Sequence, residues 1–344
     1  MIVICERNTK QRMNKKIKEN QVNWGIVGVG DVCEVKSAPA MNLVANSRIE
    51  AVMRRNADKA QDYAKRHQIE KWYSDADALI NDPKVNAIYI ATPPDAHLEY
   101  TIKAANAGKP VYVEKPMART HAECREMISV CEKAGVPLYV AYYRRALPHF
   151  LKIKELIESG AIGGVRFVEV RMCKPLVPDI ITHQTNHWRV NPEVSGGGYF
   201  YDLASHQLDF LDFLFGPIRK ASGYSANQGG QYKAEDIVTA SFEFTKGVLG
   251  TGSWCFASGE VSDKDITTIV GSKGEISYVS FGKAEVTLRR DASEDKVFSF
   301  DLPKHIQQPL IQQVVDDLLG NGMCVSTGVS GARTNQVMEW MANS

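Results

Sequence analysis

Across its 344 residues the sequence has no apolar run approaching the roughly 20 residues that a helical membrane span requires. It also lacks net charge of either sign. Lys and Arg total 41 and Asp and Glu total 40, so the formal charge is +1 and there is no electrostatic footprint for nucleic acid or an anionic membrane. Cysteine is sparse, seven residues scattered without a C-x-x-C pair, which argues against a zinc ribbon and a disulfide frame. Free thiols in a reducing cytoplasm are the expectation. There is no internal repeat and no low-complexity linker. What remains is ordinary globular composition, 44% apolar and 24% charged, at a length that suits two domains better than one core.

Residues 1–21 read as a disordered tail. Arg7, Lys10, Arg12, Lys15, Lys16 and Lys18 face only Glu6 and Glu19. The apolar opening Met1–Cys5 is too short for a signal peptide and precedes the charges instead of following them.

Residues 22–143 then alternate strands and helices. The short run Asn23-Trp24-Gly25-Ile26-Val27 leads into Gly28-Val29-Gly30-Asp31-Val32-Cys33. A strand feeding a glycine turn and a helix is the dinucleotide-binding arrangement. Gly28 permits the tight turn, Gly30 lets backbone approach a pyrophosphate, and the helix N-terminus supplies N–H donors. The usual third small residue is missing, but Cys33 is compact enough to keep helix and strand close. Ile49–Met53 reads as a second strand and Ala57–His67 as a helix presenting Ala60, Tyr63 and Ala64 on one face. Val85–Ala91 reads as a third strand ending in Thr92-Pro93-Pro94-Asp95-Ala96-His97, where Asp95 can cap a helix to about Ala107. Val111–Glu114, a helix to about Ala134, and Leu138–Ala141 follow. This alternation implies right-handed βαβ crossovers and a parallel sheet.

The stretch Val111-Tyr112-Val113-Glu114-Lys115-Pro116 stands out within it. Three strand-formers end in an acid, a lysine and a proline, and Pro116 cannot donate to a sheet ladder. Ligands of open α/β sheets bind beyond the carboxyl ends of the strands. Lys115 is therefore either a reactive group beside a ligand or a solvated loop residue.

Residues 144–344 change character, so the chain as a whole is α/β plus α+β. A helix over Pro148–Ser159 precedes a half-exposed strand, Val165–Met172. After a long polar loop and one helix come β-rich segments at Asp236–Phe244, Val248–Phe256, Asp265–Val270, Glu275–Val279 and Lys296–Phe300. Glycine-bearing and charged turns between them predict an antiparallel meander with one helical layer. Helices near Ile306–Leu319 and Ala332–Met341 close the chain and are expected to pack back on the first domain. The loop before the lone helix contains His187-Trp188-Arg189 and then Gly196-Gly197-Gly198-Tyr199-Phe200-Tyr201-Asp202. Leu203, Leu208, Leu211 and Leu214 make an apolar stripe, leaving Asp202, His206 and Asp209 on the opposite face. That face is either solvated or part of a site. The three glycines suit a backbone lying close against something, such as a cofactor face.

Glu114-Lys115-Pro116, the Ala91-Thr92-Pro93 turn, Arg144-Arg145 with Pro148, and Gly196–Gly198 followed by Asp202 and His206 occur in one order. In these the chain is strongly similar to the glucose–fructose oxidoreductase / inositol dehydrogenase / MocA family, from about Asn23 to near the C-terminus. The resemblance implies an N-terminal Rossmann domain and a C-terminal domain with a large open, mostly antiparallel sheet. It further implies nicotinamide-dependent oxidation or reduction of a sugar, polyol or keto-sugar, in a homo-oligomer joined through the C-terminal sheet. The cofactor residues implied are Gly28, Gly30, Asp31 and Val32 in the glycine turn, Arg54 and Arg55 after the second strand, and Ala91, Thr92, Pro93 and His97 after the third. Glu114, Lys115, Tyr143, Trp188 and Arg189 complete that set. Lys115, Trp188, Tyr199, Asp202 and His206 are implied to bind substrate, with Lys115, Asp202 and His206 catalytic.

The chemistry agrees. Oxidising an alcohol removes a hydride from carbon and a proton from oxygen, so the protein must supply proton transfer and orientation. His206 is the better acid or base, since an unperturbed imidazole titrates near ~6.5. Lys115 can stabilise alkoxide charge, or act as the base beside a cationic nicotinamide. Asp202 orients the substrate hydroxyl or one of the two cations, and Asp209 is structural. After the second strand a cofactor without a ribose phosphate usually meets an acid. Here the sequence is Met53-Arg54-Arg55-Asn56, which suits a 2′-phosphate, so NADP is expected with NAD as the alternative. His183 and His187 are four apart but have no companion carboxylate or cysteine motif. No metal is expected, and their loop is assigned to lining the pocket. Two other functions compete: a glycosidase acting by transient oxidation, and a cofactor-sensing regulator without catalysis.

Overall fold

A computed structural model describes residues 17–176 and 188–342. The first unit is a six-stranded parallel sheet. Its strands are β1 (Val22–Val27), β2 (Ser47–Met53), β3 (Lys71–Tyr73), β4 (Ala87–Ile90), β5 (Val111–Val113) and β6 (Leu138–Val140). Their order is β3-β2-β1-β4-β5-β6, so the direction of winding reverses between β1 and β4. The helices joining them are α1 (Asp31–Val35), α2 (Ala38–Met41), α3 (Ala57–Arg66), α4 (Ala76–Ile80), α5 (His97–Asn106) and α6 (His121–Ala134). β4, β5 and β6 are buried throughout, as strands covered by helices on both faces must be.

Three local expectations change. β3 was not anticipated, since Lys71-Trp72-Tyr73 is short; its place is fixed by Asp82, which accepts from Lys71 Nζ (2.5 Å) and Tyr73 Oη (2.9 Å). The Val85–Ala91 segment is thus the fourth strand. Asp95 does not cap α5, because a 3₁₀ turn over Pro94–Ala96 intervenes and the cap position, Ala96, receives no side-chain hydrogen bond.

The second unit opens with α7 (Pro148–Glu158) and β7 (Val165–Cys173), followed by α8 (Pro192–Ser195) and α9 (Ser205–Phe215). Strands β8 (Ile218–Ala226), β9 (Ile237–Phe244), β10 (Leu249–Cys255), β11 (Lys264–Gly271), β12 (Gly274–Tyr278), β13 (Glu285–Arg290) and β14 (Lys296–Ser299) come next. With β7 they form an eight-stranded sheet in the order β14-β13-β12-β11-β7-β10-β9-β8. It is mostly antiparallel but not a simple meander. β7, made before the helical layer, inserts between β11 and β10 and runs parallel to β10. β8 and β13 were also unanticipated. β8 is a polar, small-residue edge strand, and its pairing with β9 comes from the sheet rather than from its own β-propensity.

One turn of π-helix over Phe200–Ala204 leads into α9, which is buried on nearly every side. Its polar residues are therefore bonded and not solvated. Arg145 Nε and Nη2 reach the Asp209 carboxylate at 2.7 and 2.8 Å, so Asp209 belongs to a buried ion pair, as its structural reading required. Gln207 accepts from the Trp254 indole at 2.7 Å.

Helices α10 (Gln308–Leu319) and α11 (Gly328–Ala342) return to the first unit. The Ser326 hydroxyl donates to Val140 O and Asn335 Nδ2 to Ala118 O, each at 2.7 Å. Ile17 N–H donates to Leu318 O at 3.1 Å and its side chain packs on the core. Ile17 is thus held against α10, while residues 18–21 are exposed and residues 1–16 lie outside the described residues. No helix among the described residues is long and apolar enough to cross a membrane.

Candidate active site

The carboxyl ends of β1, β2, β4 and β5 open into a cleft of about 510 Å³ between the two units. Its floor begins at the glycine turn. Gly28 has φ +94°, and a Cβ there would stand 2.6 Å from Thr92 Cγ2, so only glycine fits. At Gly30 a Cβ would meet nothing within 4 Å, leaving open space along the backbone where a pyrophosphate would lie. Cys33 is fully buried and closes the turn by donating its N–H to Gly30 O at 2.9 Å. These residues fit a dinucleotide.

Asp31, Val32, Ala91, Thr92 and Pro93 line the same cleft. Arg54, Arg55 and Lys59 line its far end, and among the described residues none of their side chains makes a hydrogen bond or ion pair. His97 does not line it. It is fully buried between Thr92 O (2.8 Å) and Met117 O (3.1 Å), where it ties two cleft loops together. Its expected cofactor contact is corrected to a supporting role.

At the opposite end Lys115 and Asp202 meet across the domain boundary. Lys115 Nζ lies 2.5 Å from Asp202 Oδ1 and 2.9 Å from its carbonyl. Arg189 Nε is 3.3 Å from Oδ2, and its guanidinium sits 4.4 Å from the Trp188 ring centroid. Burial alone would raise the Asp202 pKa, but Lys115, Arg189 and Lys36 outweigh it and hold the carboxyl below its ordinary value. Glu114 Oε1 accepts from Tyr89 Oη and from Gln307 Nε2, each at 2.7 Å, which fixes the strand end that carries Lys115.

His206 completes the group. Its ring meets those of Tyr143 and Phe281 nearly edge-on, at 5.1 and 5.8 Å. Nδ1 is buried without a hydrogen-bond partner among the described residues, leaving Nε2 as the nitrogen open to the cleft. Burial, then Arg144, Lys115 and Lys36, lower its pKa well below the ordinary value. The imidazole is neutral at pH 7, and the expected titration near ~6.5 is corrected accordingly. Phe281 is held by Asp265, which accepts from the Phe281 and Ser280 N–H groups at 2.7 and 2.9 Å. Arg144 stacks 4.1 Å over the Phe281 ring centroid.

Two expectations fail here. Tyr199 turns into the core against Tyr232 and Phe256 and does not line the cleft. The three glycines pack on protein, not on a cofactor face. A Cβ on Gly196 would collide with Arg119 backbone, one on Gly197 with the Tyr201 ring, and one on Gly198 with Glu235 backbone. Gly196 thus lets the loop lie against Arg119, after Lys115, while Gly197 and Gly198 let it pass Tyr201 and Glu235 on the way to Asp202. His183 and His187 lie outside the described residues. The sequence reading missed Lys36, Lys59, Tyr100, Leu203, Phe281 and Gln307, all of which line the cleft. They carry no shared spacing that would have marked them.

Burial makes one neighbour testable. His149, beside Phe150, has its pKa lowered to about 4 by burial and then by Arg144. An unfolded histidine takes up its proton near ~6.5. Below that pH the unfolded state binds a proton that the folded state refuses, so this site's contribution is present above ~6.5 and lost as pH falls toward 4. We expect His149→Phe to gain stability relative to wild type over that window. Parallel melting temperatures for the two proteins across it would contradict this.

The sequence matches the NAD-binding Rossmann fold of the GFO/IDH/MocA oxidoreductase family over residues 22–142 and the GFO/IDH/MocA C-terminal domain over residues 150–277. It is 39% identical over 321 residues to Oxidoreductase P35 of Formosa agariphila, covering 93% of this chain and 98% of that protein. Two solved structures share the fold. Aldose–aldose oxidoreductase from Caulobacter crescentus, complexed with glycerol, superposes with TM-score 0.80 at 24% identity, covering 93% of this chain and 96% of that one. Levoglucosan dehydrogenase, in complex with NADH and levoglucosan, gives TM-score 0.82 at 21% identity with the same coverage.

Proposed function

This chain belongs to the GFO/IDH/MocA family of NAD(P)-dependent oxidoreductases, and from that premise we propose that it moves a hydride between NADP(H) and a sugar, polyol or keto-sugar. The observation that carries the proposal is the meeting of Lys115 from one unit with Asp202 and His206 from the other in a single cleft.

A bound nicotinamide dinucleotide supplies or accepts the hydride. Lys115 donates a hydrogen bond to the reacting oxygen and stabilises its negative charge as the C–H bond breaks or forms. Asp202 holds the Lys115 ammonium in place and accepts from a substrate hydroxyl. In oxidation the neutral His206 accepts the hydroxyl proton at Nε2. In reduction His206 first takes a proton from solvent at the same nitrogen and passes it to the reacting oxygen, and an imidazolium disfavoured by burial, Arg144 and Lys115 is a strong acid for that step. Unpaired Arg54 and Arg55 favour a cofactor with a 2′-phosphate. Assaying a panel of sugars, polyols and keto-sugars with both cofactors tests the proposal. Net change in reduced nicotinamide is expected for at least one pair, and none across the panel would overturn it.

The outer face of the eight-stranded sheet supports a homo-oligomer. Phe167 (42% exposed) and Leu249 (56% exposed) are register partners there, on the adjacent strands β7 and β10. A second copy covering this face would bury them. Sedimentation at the 38.2 kDa of one chain would contradict that reading. The free thiols of the six described cysteines suit a reducing compartment, the cytoplasm.

A further inference from the structure

The substrate end of the cleft holds one cation more than its carboxylates neutralise. Lys115 and Arg189 share the Asp202 carboxylate, and Glu114 is bonded to Tyr89 and Gln307. Against these two carboxylates stand Lys115, Arg189 and Lys36, all lining the cleft, whose third carboxylate, Asp31, stands at the glycine turn. Among the described residues Lys36 is the one of the three whose side chain makes no hydrogen bond or ion pair.

Its position is fixed from several sides. Tyr63 Oη donates to Cys33 O at 2.9 Å, the Ser37 hydroxyl donates to Val32 O at 3.2 Å, and His305 Nδ1 lies 2.9 Å from Val35 O. The Lys36 N–H itself donates to Val32 O at 3.0 Å. The half-buried residue is therefore presented by a pinned backbone, not by a loose loop.

Lys36 follows the last residue of α1, roughly 7 Å along the helix axis from the turn at Gly28–Gly30 where the pyrophosphate would lie. Its charge also bears on the opposite wall. There, against burial and after Lys115 and Arg189, it adds to the lowering of the Asp202 pKa, and after burial, Arg144 and Lys115 it adds to that of His206.

We propose that Lys36 recognises a carboxylate, so that the preferred substrate is an acidic sugar such as a uronate or aldonate. This rests on the hydride-transfer reading for its chemistry, though not for its binding. A neutral sugar leaves the surplus ammonium without a charged partner in a partly dehydrated cleft. A carboxylate supplies a charge-assisted hydrogen bond, and loss of one weakens binding by roughly tenfold or more.

The test titrates the NADP-loaded protein with D-glucuronate, D-galacturonate and D-mannuronate, each beside its uncharged amide, and follows turnover of the same compounds. At least one acid is expected to bind about tenfold more tightly than its amide. Lys36→Met should bring that ratio close to one, and Lys36→Arg should keep it. No preference for acid over amide in wild type, or no binding by any probe, overturns the proposal. So does a Lys36→Met variant that loses cofactor affinity, because the ammonium would then serve the pyrophosphate. Acid-selective binding without turnover of any compound would sustain the carboxylate site and count against hydride transfer. Equal turnover of acids and amides would do the reverse.

Discussion

Lys115→Ala and His206→Ala are each expected to lower turnover by roughly a hundredfold or more, the scale of general acid–base catalysis and of a lost oxyanion-type donor. The Lys115 effect has two parts. The ammonium no longer meets the charge that develops on the reacting oxygen, and Asp202 loses the partner 2.5 Å from its carboxylate. Arg189, 3.3 Å from the other oxygen, then draws Asp202 toward itself and away from the substrate. The His206 effect lies in proton transfer alone, so cofactor affinity should change little in that variant. The two residues act on one oxygen. The double variant should accordingly fall much less than the product of the single losses. Steady-state rates and cofactor titrations on folded variants decide this, and near-normal turnover in both single variants would remove the mechanism.

Cofactor choice should be nearly as sensitive. Arg54 stands where an acid would hold the ribose hydroxyls, Arg55 follows it, and neither guanidinium is paired among the described residues. A hydrogen bond to a charged group contributes about 1.5–3 kcal/mol. One good phosphate contact thus favours NADP by roughly tenfold to a hundredfold. Arg54→Asp repels the 2′-phosphate and offers an acceptor to a ribose hydroxyl instead. It should weaken NADP binding and narrow or reverse the preference. Both proteins should be titrated with both cofactors at one fixed salt concentration, because exposed charges are screened. Equal affinity of wild type for NAD and NADP would show that Arg54 does not read the phosphate.

The parts of the site that could be read from the sequence are those where backbone geometry restricts the residue type. Gly28 must accept φ +94° against Thr92, and Pro116 must end the strand that delivers Lys115. Such constraints act over a few residues and leave local marks. The remainder depends on long-range packing. Gln307 supports Glu114 from 193 positions away, and Phe281 reaches His206 only because Asp265 anchors its backbone. The glycine run suggests a cofactor contact because close approach is visible in sequence but its partner is not; Arg119, Tyr201 and Glu235 are the partners. Tyr199 has no local signal for its direction, which Tyr232 and Phe256 set from further along the chain. The lowered His206 pKa is invisible in sequence for the same reason, since burial and the nearby Arg144 arise only on folding. In the second sheet, the central insertion of β7 parallel to β10 joins segments separated by about eighty residues, which no local pattern records.

Direct transfer of hydride between cofactor and substrate carbon, with Lys115 and His206 handling the oxygen and its proton, is most directly tested by isotope. The keto form of the best substrate would be reduced in a single turnover by NADPH deuterated at the transferring position, and the product weighed by mass spectrometry. One deuterium should appear on the new carbinol carbon, with the same amount of NADP⁺ formed, and Lys115→Ala should slow both together. Product without deuterium, or cleavage of glycosides with no net oxidation of the cofactor, would contradict the account.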